Sequence, residues 1–270
     1  GQPGSGTNHP ECLARAEEQV RRLAEERDHP DPDVRGREEA ARERAAKERV
    51  ERVKDALEQL PKVEALKERH RRTVAKAKRG KIGEARVSTT DGDARVMKMA
   101  DGGFRPAYNV QLATDVGSGV IVGAAVVNKG TDARQAEVME EQIEQRTGVR
   151  PEDYLVDGGF AQLETITALE QRGVSVYAPV QPPRKATKAQ DRSTPQKDDT
   201  PGVAKWRQRM GTEGAKDIYK KRGATAEWSN AQVHRHGMLP FSVRGLDKVF
   251  SVVLLVAITH NILRVVSMVT

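Results

Sequence analysis

The chain has 270 residues, 37% hydrophobic and 31% charged, which is enough for one core domain and an appendage. A net charge of +7 and a pI of about 9.5 favour an anionic partner, while only 4% aromatic residues argue against a base-stacking platform. Cys12 is the only cysteine, which excludes an internal disulfide and any cysteine-cluster metal site and suits a cytoplasmic protein.

The chain opens Gly-Gln-Pro-Gly-Ser-Gly, without Met or a signal peptide, and this reads as the middle of a loop in a longer protein. Residues 10–60 are a charged helical region. Leu13, Ala16, Val20 and Leu23 fall at helical spacing, and Pro30 and Pro32 then break the pattern. A second helix is predicted from Val34 to Leu60, with a narrow stripe through Ala46, Val50, Val53 and Leu57, and Pro61 ends or kinks it. The pair forms a helical hairpin. Mixed charge favours a solvated antiparallel coiled coil over a DNA-contacting arm. Residues 67–81 carry eight bases (among them Arg69, Arg71, Arg72, Lys76 and Lys78) against one acid, Glu68. Such a run suits phosphate contact or a merely solvated face.

Strands follow. Ala94–Ala100 is one candidate. Tyr108–Thr114 alternates with period two, Asp115–Gly119 is a turn, and Val120–Val127 completes a hairpin. A helix is expected over 132–145, a strand over 154–157, a helix over 161–172 and a strand over 174–180. Residues 181–211 read as a mobile linker, rich in Pro, Lys, Asp, Gln and Thr. Helices then run from about Thr212 to His236 and over Leu246–Val269. The apolar run Val249–Ile258 is about half of the ~20 residues that a membrane span needs, so this last helix is expected to pack and no membrane partner is implied. The expected domains are therefore a charged hairpin with a basic tail, 1–84, and an α/β core, 85–270.

The stretch Tyr154-Leu-Val-Asp-Gly-Gly-Phe160 organises this core. It sets a carboxylate, Asp157, at the end of an apolar strand, where α/β sheets hold ligands. The plain alternative is an Asp-Gly turn. Downstream, Tyr219-Lys-Lys-Arg222 continues into Gly-Ala-Thr-Ala-Glu227 on a helix. Together with Ser88-Thr-Thr-Asp91, Ala94-Arg-Val-Met-Lys98, Tyr108-Asn-Val-Gln111, Arg244-Gly-Leu-Asp-Lys-Val249 and His260-Asn-Ile-Leu263, these stretches resemble the DDE transposases of bacterial insertion sequences. The branch concerned is the one with a Tyr-x2-Arg-x3-Glu signature. Four residues separate Arg222 from Glu227 here, one more than that signature has, and Ala226 takes the strict position.

The resemblance implies a ribonuclease H-like mixed sheet flanked by helices, with the charged hairpin as an insertion. It makes Asp157 the second and Glu227 the third acid of a two-ion Mg²⁺ site. The first Asp belongs on a strand before the insertion. Asp91, Asp93, Asp101 and Asp115 do not stand in its context, so the site is incomplete in this chain. Arg222 would meet a DNA phosphate or an acid of the site, with Tyr219 supporting it. The implied activity is DNA cleavage and strand transfer at transposon ends and target DNA, by a homodimer. A non-catalytic DNA-binding or oligomerisation remnant is the alternative, and a nuclease of the same fold is a third possibility. His234 and His236, two positions apart, do not make a metal pair.

Overall fold

The computed structural model describes residues 9–28, 36–76, 82–99, 101–181 and 192–270. These contain helices α1 (His9–Asp28), α2 (Gly36–Thr73), α3 (Gln135–Thr147), α4 (Leu163–Gln171), α5 (Pro201–Met210), α6 (Glu213–Arg235) and α7 (Leu246–Val269). The strands are β1 (Arg95–Lys98), β2 (Phe104–Ala107), β3 (Asn109–Thr114), β4 (Ile121–Val127), β5 (Asp153–Leu155) and β6 (Ser175–Tyr177). The chain is thus mixed α/β, and it divides into two compact units, 1–108 with 243–248, and 109–242 with 249–270.

In the first unit α1 and α2 pack as the expected hairpin, with Ala16, Ala46, Val50 and Val53 buried along the stripe. Arg49 donates across it to Gln19 at 3.0 Å. The second helix does not stop at Pro61 but continues to Thr73. A proline inside a helix costs about 3 kcal/mol, and burial of Val53 and Ala56 on one side and Val63 on the other offsets it. Strands β1 and β2 form an antiparallel pair, Arg95 opposite Ala107. The sequence reading missed β2, because Pro106 and Gly102–Gly103 resemble a turn. Asp91 accepts from Tyr108 Oη at 2.8 Å and from the Gly245 N–H at 3.2 Å, and Asp93 accepts from the Leu246 N–H at 3.1 Å.

The second unit is built on two strand pairs. β3 and β4 are antiparallel, Asn109 opposite Val127, whereas β5 and β6 are parallel, Tyr154 opposite Val176. Strands β3 and β4 pair only with each other, as do β5 and β6, so the expected single mixed sheet is not continuous among the described residues. Val156, Val174, Val176, Ile166, Leu169, Val203 and Trp206 form the core between β5, β6, α4 and α5. Helix α5 lies within the stretch read as a linker. Thr200 caps it, its Oγ1 accepting from the Val203 N–H, and Pro201 follows in the first turn. This Thr-Pro start is a helix signal that the polar composition around it masked.

Helix α7 holds the β3–β4 hairpin. Asn261 grips Ile121 with both ends of its amide, accepting from the N–H and donating to the carbonyl, each at 2.8 Å. His260 Nε2 meets the Gly119 carbonyl at 3.0 Å, and the side chain is buried against the hairpin turn. By length and composition α7 could cross a membrane. One face is buried through Val249, Val253 and Ala257, and another exposes Leu255, Ile262 and Val266.

Candidate functional site

Asp157 stands two residues beyond β5, where the apolar ladder ends. Its Oδ1 accepts from the Gly159 N–H at 2.8 Å, which fixes the carboxylate over the turn. Gly159 has no side chain to spare: a Cβ there would lie 3.0 Å from Asp157 Oδ1 and 3.1 Å from Asp132 Oδ2. Those two oxygens are therefore no more than about 6 Å apart, the sum of the two distances. Asp132 is itself oriented. Both Asn109 Nδ2, at 2.8 Å, and Gln111 Nε2, at 2.9 Å, donate to its Oδ1. Gln111 is buried, and its Oε1 has no hydrogen-bond partner.

Asn109 and Gln111 begin β3, and Asp157 follows the end of β5, so the start of one strand lies beside the end of the other. Residues of both strands line a cavity of about 910 Å³. Residues 111–116 line one side and residues 149–157 the other. Met139 and Ile143 of α3 and Ile218, Arg222, Thr225 and Ala226 of α6 close it. Each flanking strand has a hydrogen-bonded ladder on one side only. On β5 the Val156 N–H donates to Tyr177 and the Glu152 carbonyl accepts from Ser175. The alternate residues Asp153 and Leu155 therefore turn their backbone groups away from β6. The lining carries both signs, with Asp115, Glu152, Asp153 and Asp157 against Arg150, Lys221 and Arg222.

Of the signature residues, Arg222 and Asp157 line the same cavity. The Arg222 guanidinium lies over the Tyr219 ring, 5.6 Å from its centre. Burial raises the Tyr219 pKa above its usual value, the adjacent Arg222 opposes that rise, and Asp157 adds to it. Tyr219 thus feels both charges. Glu227 is exposed on α6, one residue past the cavity-lining Ala226. The four other acids have local partners. Asp91 and Asp93 hold Tyr108, Gly245 and Leu246, Asp101 pairs with Arg105, and Asp115 accepts from Ser118 in the hairpin turn.

In the basic segment, Arg71 and Arg72 both meet Glu68, at 3.5 and 3.3 Å, while Arg69 and Lys76 are exposed. Lys67 turns back to the carbonyls of Gly83 and Glu84, and burial, with the nearby Arg71 and Arg86, lowers its pKa. Lys78, Arg79 and Lys81 lie outside the described residues. Asp132 and Gln111 escaped the sequence reading as site residues. An Asp just before a helix reads as an N-cap, and Gln111 reads as the polar half of an alternating strand. Only the fold turns both toward Asp157.

An α/β unit with a carboxylate at a strand end, in a cavity that Arg222 and Lys221 of a neighbouring helix also line, is the class of structure that the site defines. The family model for the transposase DDE domain matches residues 72–262, more than two thirds of the chain, and the chain belongs to that family. No curated protein and no solved structure matches it significantly. Membership brings DNA transposition, DNA cleavage and a DNA substrate, and domains of this family generally use divalent metal. The donors at Asp157 suit such an ion. They are hard oxygens, the Gln111 Oε1 is buried without a partner, and Gly159 leaves open the space a Cβ would fill. They do not amount to a two-ion site, since no group of three or more His, Cys, Asp or Glu side chains converges among the described residues.

Proposed function

We propose that the chain is most of the catalytic region of a DDE transposase with a ribonuclease H-like core, and that it acts in DNA strand cleavage and strand transfer. In this reading residues 85–270 are the catalytic core, and residues 1–84 are a helical insertion whose basic tail touches DNA. Asp157 and Glu227 serve as acids that hold Mg²⁺. Arg222, steadied by Tyr219, binds a phosphate, because its planar fork suits phosphate oxygens. The ion would stabilise the leaving oxygen and activate the attacking one. This chain's own residues supply the hard oxygens and the cationic wall. The protein would work as a homodimer in the cytoplasm on transposon ends and target DNA.

One observation carries the proposal. Asp157 stands at the head of a cavity bounded by two strand edges, each hydrogen-bonded on one side only. A strand laid parallel to β5 along its open edge would end beside Asp157. The first acid belongs at that end, on a segment outside residues 1–270. The test compares the chain as given with a form extended at its N-terminus through the preceding strand. The chain alone should neither nick nor join supercoiled DNA in Mg²⁺, and the extended form should do both. Glu227→Gln in the extended form should lower cleavage by two orders of magnitude or more, on the scale of other transition-state charge contacts. Strong Mg²⁺-dependent nicking by residues 1–270 would overturn the missing-acid reading.

The second reading is a non-catalytic DNA-binding or oligomerisation remnant. It is favoured by the position of Glu227 outside the cavity lining. An extended form that binds DNA but never cleaves it would select this reading.

A further inference from the structure

The Asp132 carboxylate has no role in the readings above, yet it is one of the best oriented in the second unit. Asn109 and Gln111 both donate to its Oδ1, which leaves Oδ2 turned toward Gly159 and the Asp157 side of the turn. A side chain that only capped α3 would direct an oxygen to the helix N–H groups. Asp132 meets the start of that helix only through its main chain, its carbonyl accepting from the Gln135 N–H at 3.0 Å, and the helix has no side-chain cap; the Gln162 Oε1 accepts from the preceding Arg134 N–H at 3.1 Å. Arg134 itself is held at a φ of 61°, a left-handed conformation that a residue with a Cβ adopts at some cost. Two carboxylates within about 6 Å repel one another unless a cation sits between them. The Gln111 Oε1, buried and without a partner, belongs to a residue that lines the cavity with Asp157 and is a neutral oxygen of the kind such a cation accepts.

We propose that Asp132 is a ligand of the divalent ion, bound through Oδ2 beside Asp157, with the Gln111 Oε1 as a neutral oxygen on the same face. Asn109 is then a positioning residue, because it touches only Asp132 Oδ1. A Cβ at Gly159 would crowd both carboxylates, at 3.0 and 3.1 Å, so glycine suits that position. The inference rests on the transposase reading only for the kind of ion.

Cleavage of the backbone by iron(II), ascorbate and peroxide tests it on the full 270-residue chain without DNA. Iron(II) takes the place of Mg²⁺ and cuts the chain where it sits. Cuts are expected near residues 111, 132 and 157–159, and excess Mg²⁺ should suppress all three together. In parallel, Mn²⁺ binding followed by electron paramagnetic resonance should weaken at least about tenfold in Asp132→Asn. Asn109→Ala should give a smaller loss, because the carboxylate remains but is less well aimed. If Asp132→Asn does not fold, the cleavage map of the unaltered chain and Asn109→Ala still decide. Cutting near 157 without cutting near 132 would overturn the proposal and leave the transposase reading intact, as would unchanged Mn²⁺ binding in a folded Asp132→Asn. The absence of any Mg²⁺-suppressible cut would overturn it too. Conversely, all three cuts in a protein whose extended form never cleaves DNA would keep the ion site and remove the proposed activity.

Discussion

Gly119 closes the turn between β3 and β4 at a φ of 74°, with its hydrogens against the Trp228 ring and the Arg264 side chain. A Cβ there would approach Trp228 to 2.9 Å and Arg264 to 3.1 Å. Gly119→Ala therefore meets two penalties, a left-handed backbone and a crowded indole, and should destabilise the second unit by about 1–3 kcal/mol in urea unfolding. Tyr154 gives a residue-scale prediction in pH. Its burial, reinforced by the nearby Glu140 carboxylate, holds the phenol above its usual pKa, and its Oη donates to the Ala136 carbonyl at 3.3 Å. A raised folded-state pKa leaves stability intact below the unfolded value of about 10 and removes it as pH rises further. Stability should thus fall above pH ~10 with up to about 1.4 kcal/mol per pH unit from this group. Tyr154→Phe should be slightly less stable than the unaltered chain at pH 7 and gain on it steadily above pH ~10, as followed by urea titration at each pH. A constant difference across that range would show that the phenol titrates alike in the folded and unfolded states, and that its pKa is not raised by folding.

At the scale of elements, Asn261 ties α7 to the start of β4. Asn261 both donates to and accepts from Ile121, so it stands in for the neighbouring strand that β4 lacks on that side. Asn261→Ala removes both bonds and leaves an N–H and a carbonyl to find other partners, at a cost of about 1–3 kcal/mol. Amide exchange at Ile121 should quicken more than exchange at the core residues Val174 and Val176 if the bracket is local. The basic tail of α2 makes a second prediction. Each phosphate neutralised on duplex DNA adds about 0.9 to the slope of log K against log [salt]. Replacing Arg69, Arg71, Arg72, Lys76 and Lys78 with Ala should flatten that slope. Arg69 and Lys76 should account for more of the change than Arg71 and Arg72, which share Glu68. An unchanged slope would make the segment a solvated face.

At the scale of the whole molecule, much was legible from residues alone. The helical hairpin followed from apolar spacing, the β3–β4 hairpin from period-two alternation, and the place of Asp157 from an apolar run meeting two glycines. These signals are local: each depends on residues a few positions apart, whose geometry the backbone repeats. The family was legible too, because its motifs are short and ordered along the chain. Helix α5 was hidden by polar composition, although Thr200 and Pro201 marked its start. The union of Asp132, Gln111 and Gly159 around Asp157 could not be read from any stretch. Asp132 lies 21 positions from Gln111 and 27 from Gly159, and Gln111 looks like any outward polar residue of a strand. The cavity between β3 and β5 is likewise a property of tertiary structure. It exists because two strand pairs, each satisfied on one side, pack against shared helices without meeting. Backbone hydrogen-bonding capacity is set residue by residue, but which of it remains open is decided only when the elements take their places.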